Sequence, residues 1–298
     1  MQAVLIRETG DSDVLKLEEV DSPEPADGEV LVRARAISVN PTDWKSRSGM
    51  SDLELPAVLG RDVSGVVEAS RSEDFADGDE VFGNPGGTYA ELVSAPAETL
   101  ARKPDALSHE QAAALPVAGL TAWQALFDKA GLESGQTVVV AGAAGGVGHL
   151  AVQFAKHAGA RVVGTGSSRN RDFVLGLGAD DCVDYTEQDA GAAVDDADVA
   201  FDTVGGDTTG SLVPTLREGG VLVTIANAPP EDAAAERGAR AELHVTSPNR
   251  EELSRIAELV ASGEVRVELA EVLPLAEIRR AHELSQAGHV RGKIVLTV

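Results

Sequence analysis

The apolar positions change period along the chain. Up to about residue 102 they fall in short β-rich runs, at 3–6, 29–38, 63–69, 80–83 and 89–93, separated by turn-forming stretches such as Asp21-Ser-Pro-Glu-Pro-Ala-Asp-Gly28 and Ala76-Asp-Gly-Asp79. This spacing predicts a mostly antiparallel, barrel-like lobe. Ser108 is placed to cap a short helix ending near Pro116, and residues 119–127 read as a second helix. Beyond residue 137 strand-like and helix-like runs alternate, at 161–164, 173–177, 183–185, 199–203, 210–216 and 221–225, which predicts a parallel sheet with helices on both faces. Residues 226–240, rich in Ala, Pro and charge, read as a loop or short helix. A strand at 242–246, an amphipathic helix starting at Ser247 and a closing strand at 290–298 follow.

One stretch joins the two patterns: Thr137-Val-Val-Val-Ala-Gly-Ala-Ala-Gly-Gly-Val-Gly-His149. A β-branched run meets a glycine cluster, and Val147, Ala151, Phe154 and Ala158 then recur at helical spacing until Gly159. Strand, glycine turn and helix in this order make a nucleotide-binding turn, because a pyrophosphate must lie against backbone N–H groups at the positive end of a helix, where a Cβ would hold it off. Against G-x-G-x-x-G the chain offers Ala143, Gly145 and Gly148, with Ala144, Gly146 and Val147 between them. A purely conformational glycine turn is the competing explanation, and the flanking strand and helix argue against it.

Composition narrows the classes. A 298-residue chain that is 43% hydrophobic can bury a large core and divide into two lobes. No apolar run approaches the roughly 20 residues that span a bilayer, and the first seven residues are too short for a secretory apolar region, so a soluble cytoplasmic protein is expected. The formal net charge is −24, dispersed along the chain, which disfavours nucleic acid and anionic membranes as partners. Only six of the 25 basic residues are lysine, a balance resembling cytoplasmic proteins of salt-accumulating organisms. The one cysteine, Cys182, lies in an apolar pair and excludes both an internal disulfide and a cysteine-based zinc lobe.

Several segments together carry a family resemblance over nearly the whole chain: Val39-Asn-Pro-Thr-Asp-Trp-Lys45, Leu59-Gly-Arg-Asp-Val-Ser-Gly65, Gly87-Thr-Tyr-Ala-Glu91, Gly119-Leu-Thr-Ala-Trp123, the turn at 142–148, Asp202-Thr-Val-Gly-Gly206 and Gly292-Lys-Ile-Val-Leu296. The chain resembles the zinc-independent medium-chain dehydrogenases/reductases of the quinone and enone reductase type. That resemblance implies a GroES-like, β-barrel-like catalytic domain over 1–113 and 267–298, and a doubly wound Rossmann domain over 114–266. It further implies a homodimer, for which the 242–246 strand is an available edge.

The cofactor choice turns on the end of the second Rossmann strand. A carboxylate there would bind a free ribose 2′-OH, but the chain has Gly166, followed by Ser167, Ser168 and Arg169, the groups that receive a 2′-phosphate. NADPH is therefore expected over NADH, the alternative being that the serines cap the next helix and Arg169 is a solvated charge. The resemblance adds Tyr185 near the adenosine phosphate, and Asn40, Thr121, Val204 and the backbone at Ile225 and Ala226 toward the nicotinamide.

For the chemistry, zinc-dependent relatives place a cysteine where this chain has Asn40, a His-Glu pair at Arg61 and Asp62, and a cysteine near Val117, so no metal is expected. An electron-poor quinone or enone carries its own conjugated sink and needs less electrophilic help than an alcohol oxidation would. Lys45 is the candidate proton donor and Tyr89 a second, with Asn40 orienting the nicotinamide. Against this, Lys45 can instead pair with Asp43, Tyr89 can mark a tight turn, and Arg47 and Asp62 can form an ion pair. Asp43 shows no feature that would raise its pKa. A redox-silent NADPH sensor or scaffold is the rival reading.

Overall fold

In the computed structural model, which describes residues 1–298, the eleven-residue strand Glu29–Val39 organises the first unit. Along one edge it pairs antiparallel with Asp62–Ser70. Its other edge is shared: residues 29–33 pair with Leu92–Pro96, and residues 36–39 with the chain's last strand, Lys293–Thr297. Leu269–Pro274 continues the sheet parallel to Lys293–Thr297, while Glu80–Gly83 and Leu100–Arg102 extend it on the far side, making seven strands in all. Two register shifts between Glu29–Val39 and Asp62–Ser70 mark bulges, which bend and twist a sheet. A smaller sheet sets Gln2–Ile6 between Lys16–Glu19 and Ala57–Val58. The alternating apolar residues of these strands, among them Val4, Ile6, Val32, Ile37 and Leu296, form one core.

The second unit is the predicted parallel sheet. Its order is Asp181–Asp184, Arg161–Gly166, Thr137–Ala141, Ala197–Asp202, Leu216–Thr224, Arg240–Leu243, all parallel. The sheet grows one way from Thr137–Ala141 and then the other, so a topological switch point lies between Thr137–Ala141 and Ala197–Asp202. In open α/β sheets the crevice at the carboxyl ends beside such a point is where ligands bind. Near-continuous Val and Ala runs in the central strands fit burial on both faces. No helix is long and apolar enough to cross a membrane.

Contacts place residues 1–120, 248–263 and 267–298 in the first unit, and 121–247 with 264–266 in the second. The division therefore falls some residues away from the expected one, and the helix Arg250–Ala261 belongs with the first unit. The cause is local: Arg250 stacks on Phe75 at 5.2 Å, pairs with Asp74 at 2.8 Å and donates to the Leu100 carbonyl at 2.8 Å. Two other expectations change. The helix starts at Arg250, not Ser247, because the Asn249 side chain accepts from the Glu251 and Glu252 amides and caps it. The last strand of the parallel sheet covers Arg240–Leu243, two residues earlier than its sequence pattern indicates, and residues 226–240 include the short helix Glu231–Glu236. Ser108 caps His109–Ala113 as expected, accepting from the Gln111 amide at 3.2 Å.

Candidate functional site

In the second unit the strand Thr137–Ala141 leads into a turn at Gly142, whose φ of +71° is left-handed backbone that favours glycine. The Gly145 amide closes the turn on the Gly142 carbonyl at 2.9 Å, and the helix Gly148–His157 starts immediately after it. At Gly148 a methyl group would lie 2.1 Å from the Gly142 carbonyl oxygen, so only hydrogen is tolerated there. Ala143, the departure from the glycine fingerprint, is fully buried and its amide donates to the Thr165 carbonyl at 3.0 Å. Its methyl faces the neighbouring strand so closely that a Cβ at Gly164 would come within 2.8 Å of it. The methyl thus serves strand packing, and Ala144 is buried beside it. Gly145, Gly146 and Val147 remain partly exposed, and the Gly146 and Val147 amides have no backbone acceptor. Free amides at a helix start, over a surface where no Cβ intrudes, are what a pyrophosphate requires.

Gly166 ends its strand at the same edge of the sheet, and the atoms nearest an added Cβ, on Asn170 and Cys182, are 3.6 and 3.7 Å away. The Ser167 hydroxyl is buried without a partner, whereas the Ser168 hydroxyl meets Asp184. The hydroxyl and amide of Thr186, with further help from Ser168, hold the Asp184 carboxyl below the usual carboxylate range. Asp184 is thus a neighbour that the sequence reading passed over. Arg169 and Tyr185 are exposed, Tyr185 by 60%.

Beyond the switch point Asp202 is buried at the end of its strand. It accepts from the Val204 and Gly205 amides at 2.9 and 3.0 Å, and from the hydroxyls of Thr209 and Thr224 at 2.5 and 3.1 Å. It therefore fixes the loop bearing Val204, which is 55% exposed. The Ile225 amide is used on the Asp202 carbonyl at 3.1 Å and the Ala226 amide on the Thr224 hydroxyl at 3.3 Å. Thr121 is buried with its hydroxyl 2.5 Å from that of Thr246. Glycine turn, orphaned Ser167 hydroxyl and a strand end without a carboxylate at Gly166 together fit a phosphorylated dinucleotide.

The first unit holds a second concentration of polar groups, all buried. Asp62 Oδ2 accepts from the Ser38 hydroxyl at 2.6 Å and from Asn40 Nδ2 at 2.8 Å, and Oδ1 accepts from the Val117 amide at 2.9 Å. Lys293 Nζ donates to Asn40 Oδ1 at 2.5 Å and lies 3.8 Å from Asp62. Asn40 precedes the helix Pro41–Arg47, whose Asp43 accepts from the Asn40 amide and from the Tyr89 hydroxyl, each at 2.8 Å. His282, on the helix Ile278–Gln286, completes the chain with Nε2 3.1 Å from the Tyr89 oxygen.

This geometry corrects four expectations. Tyr89 is fully buried and its proton is committed to Asp43, so it is a structural hydroxyl and not a donor to a substrate. Asp43 does have a raised pKa, pushed up to about 6 by burial against the opposing hydrogen bonds of Asn40 and Tyr89. Arg47 and Asp62 form no ion pair, because Arg47 donates to the Gly10 carbonyl and to Gln286. Lys45 does not pair with Asp43 either, and its ammonium lies 5.9 Å from the Trp44 ring centroid. Lys293 and His282 escaped sequence reasoning, although the Gly292-Lys-Ile-Val-Leu296 segment drew attention to the first. No group of three or more His, Cys, Asp or Glu is placed to hold a metal ion.

Comparison with known proteins follows these features. Residues 26–105 match the alcohol dehydrogenase GroES-like domain family, and residues 177–296 the zinc-binding dehydrogenase family. The chain is 34% identical to the 2-methylene-furan-3-one reductase of Solanum lycopersicum, an alignment covering 99% of this chain and 79% of that one. The chain belongs to the quinone oxidoreductase type of the medium-chain dehydrogenases/reductases. It is 33% identical to the NADPH-dependent alkenal/one oxidoreductase of Arabidopsis thaliana, over 99% of this chain and 79% of the other. The solved quinone oxidoreductase of Coxiella burnetii superposes with a TM-score of 0.95 at 37% identity, over 100% of this chain and 99% of that one.

The buried first-unit network predicts an acid response. Burial, with a smaller push from Arg47, drives His282 down to about 3 from an ordinary 6.5. Between those values the unfolded chain binds the extra proton, so His282 removes stability as pH falls from about 6.5 toward 3, by at most about 1.4 kcal/mol per pH unit. Asp43, raised from 3.8 to about 6, acts in the opposite sense between those values. Urea unfolding of His282→Gln is expected to show a stability that declines less than that of the parent from pH 6.5 to 5. Parallel declines would refute the assignment.

Proposed function

We propose that the chain is an NADPH-dependent oxidoreductase that delivers a hydride to a quinone or an α,β-unsaturated carbonyl without a metal. The observation that carries this reading is the glycine turn at the switch point of the parallel sheet, where Gly148 admits only hydrogen and the Ser167 hydroxyl lies buried and unpartnered. NADPH supplies the hydride when bound. Gly145, Gly146, Val147 and Gly148 would receive its pyrophosphate, and Ser167, Ser168, Arg169 and Tyr185 its adenosine phosphate. Thr121, Val204, Ile225 and Ala226 would line the nicotinamide end. The substrates named for the tomato and Arabidopsis relatives, a methylene-furanone and alkenals or enones, and the quinone named for the Coxiella protein share one property, a conjugated electron-poor acceptor. Lys45, partly exposed and free of ion pairs, is the proposed proton donor to the reduced acceptor.

NADPH oxidation, followed at molar salt with a panel of quinones and enones, is expected to proceed with members of at least one class. Tight NADPH binding with no oxidation by any acceptor would instead favour a sensor. In the same assay Lys45→Met should lower kcat by roughly 100-fold or more with NADPH affinity preserved, and full-rate turnover would remove Lys45 from the mechanism. Gly166→Asp, where an added Cβ meets its nearest atoms at 3.6 Å and beyond, places a carboxylate against the 2′-phosphate. It should weaken NADPH about tenfold or more while affecting NADH less, and an unchanged preference would sink the cofactor assignment. Dimerisation through the edge strand Arg240–Leu243, flanked by Val245 at 78% exposure, is expected from light scattering; a monomeric mass at all concentrations would contradict it.

A further inference from the structure

One peptide of the glycine turn is left undecided by its own sterics. Gly145 and Gly146 share a peptide with no Cβ on either side, so its plane can stand in either of two opposite orientations. The choice matters, because a trans peptide points its carbonyl oxygen and its N–H in opposite directions. With the Gly145 oxygen turned into the helix Gly148–His157, the Gly146 N–H turns outward from the helix start. Reversed, the turn would offer an oxygen where that N–H stood, and an oxygen repels a pyrophosphate.

His149 selects the first orientation. Its backbone amide donates to the Gly145 oxygen at 3.0 Å, an ordinary bond of a helix start. Its side chain adds a second bond, with Nδ1 2.9 Å from the same oxygen. A carbonyl only accepts, so Nδ1 carries the proton. Helical side chains lean toward the N-terminus, which lets the ring reach a carbonyl four residues earlier. His149 is fully buried, where a polar group is spent on a protein partner and water does not compete for the acceptor. The Gly145 oxygen thus takes two donors from one residue, and the Gly146 amide, whose direction this fixes, has no backbone acceptor.

We infer that His149 is a positioning residue that locks the Gly145–Gly146 peptide with its N–H facing the cofactor's pyrophosphate. This rests on the proposed reading of the turn as a dinucleotide site. Gly142, Gly145, Gly146 and His149 all belong to the second unit. His149 touches no reacting atom, and its effect passes through this one peptide. The glycine pair gives the turn the close approach that a pyrophosphate needs, and the histidine restores the rigidity that the pair gives up.

The test compares dissociation constants for NADPH, NADH and adenosine 2′-phosphate, which has no 5′-phosphate, in the parent chain, His149→Leu and His149→Asn. Leucine fills the buried site and donates nothing. Asparagine branches at Cγ as histidine does and brings an N–H to the place of Nδ1. His149→Leu is expected to weaken NADPH and NADH alike by about tenfold, the loss of one hydrogen bond to a charged group, and to leave adenosine 2′-phosphate unchanged. His149→Asn should recover most of that loss. Parental NADPH affinity in His149→Leu overturns the inference and leaves the cofactor reading standing, whereas a parent chain that binds neither dinucleotide overturns both. A loss confined to NADPH places the effect at the 2′-phosphate and overturns the inference. An equal loss for adenosine 2′-phosphate shows general disruption and overturns it too, as does a His149→Asn variant no better than His149→Leu. If His149→Leu does not fold, His149→Ala, which puts the best helix former at this position, carries the same comparison with the same outcomes.

Discussion

The first unit depends on keeping a buried carboxylate satisfied. Asp62 has no exposed surface, and a carboxylate in that position is tolerable only with partners on all sides. Those partners come from three separate places in the chain: Ser38 and Asn40 at the end of one strand, Val117 at the start of a helix, and Lys293 near the last residue. Removing any one leaves either an unpaired charge or an unsatisfied lone pair. The sheet that brings them together, with Lys293–Thr297 laid antiparallel on the end of Glu29–Val39, is thus constrained at this point by electrostatics as well as by its apolar core. The pairing of sequence-distant ends is the physical reason that this unit is discontinuous along the chain.

The second unit meets a different constraint. Its sheet is apolar, its central strands are Val and Ala, and its specific chemistry is confined to the carboxyl edge, where backbone dominates over side chains. Gly142 and Gly148 matter there for the volume they leave empty. Ala143 shows how narrow this requirement is: its methyl is accepted because it turns into the neighbouring strand, away from the partly exposed turn formed by Gly145, Gly146 and Val147. Asp202 supplies what the backbone cannot, a fixed acceptor that shapes the next loop.

What was legible in the sequence follows from how far apart the interacting residues lie. The glycine turn, its strand and its helix are contiguous, so their order was readable, and the parallel sheet followed from the alternation after it. The Ser108 cap was readable for the same reason. The buried network was not, because Asn40 and Lys293 are 253 residues apart and nothing local to either marks the contact. Tyr89 was misread because residue type reports what a hydroxyl can do, whereas burial and Asp43 decide what it does. The pKa of Asp43 was invisible for a related cause, since burial is its largest determinant and burial belongs to the folded chain. Ser247 lost its place as a helix start to Asn249 because two good capping residues lie close together and only the backbone geometry chooses between them.

The charge of the whole chain and the charge of this interior are separate matters. A formal net of −24 describes mainly the surface, where carboxylates repel one another and dissolved ions screen them within about 10 Å at moderate ionic strength and about 3 Å at molar salt. Inside the network around Asp62 the buried ionisable groups are balanced instead: Asp43 and Asp62 stand with Arg47 and Lys293, two acids with two bases, and Tyr89 and His282 sit among them. Salt cannot enter this cluster to screen it, so the hydrogen bonds of the Asn40 amide are decoupled from the medium that governs the surface. An acidic exterior can therefore vary with the ionic environment while the buried network keeps its geometry, held by direct contacts of 2.5 to 2.9 Å.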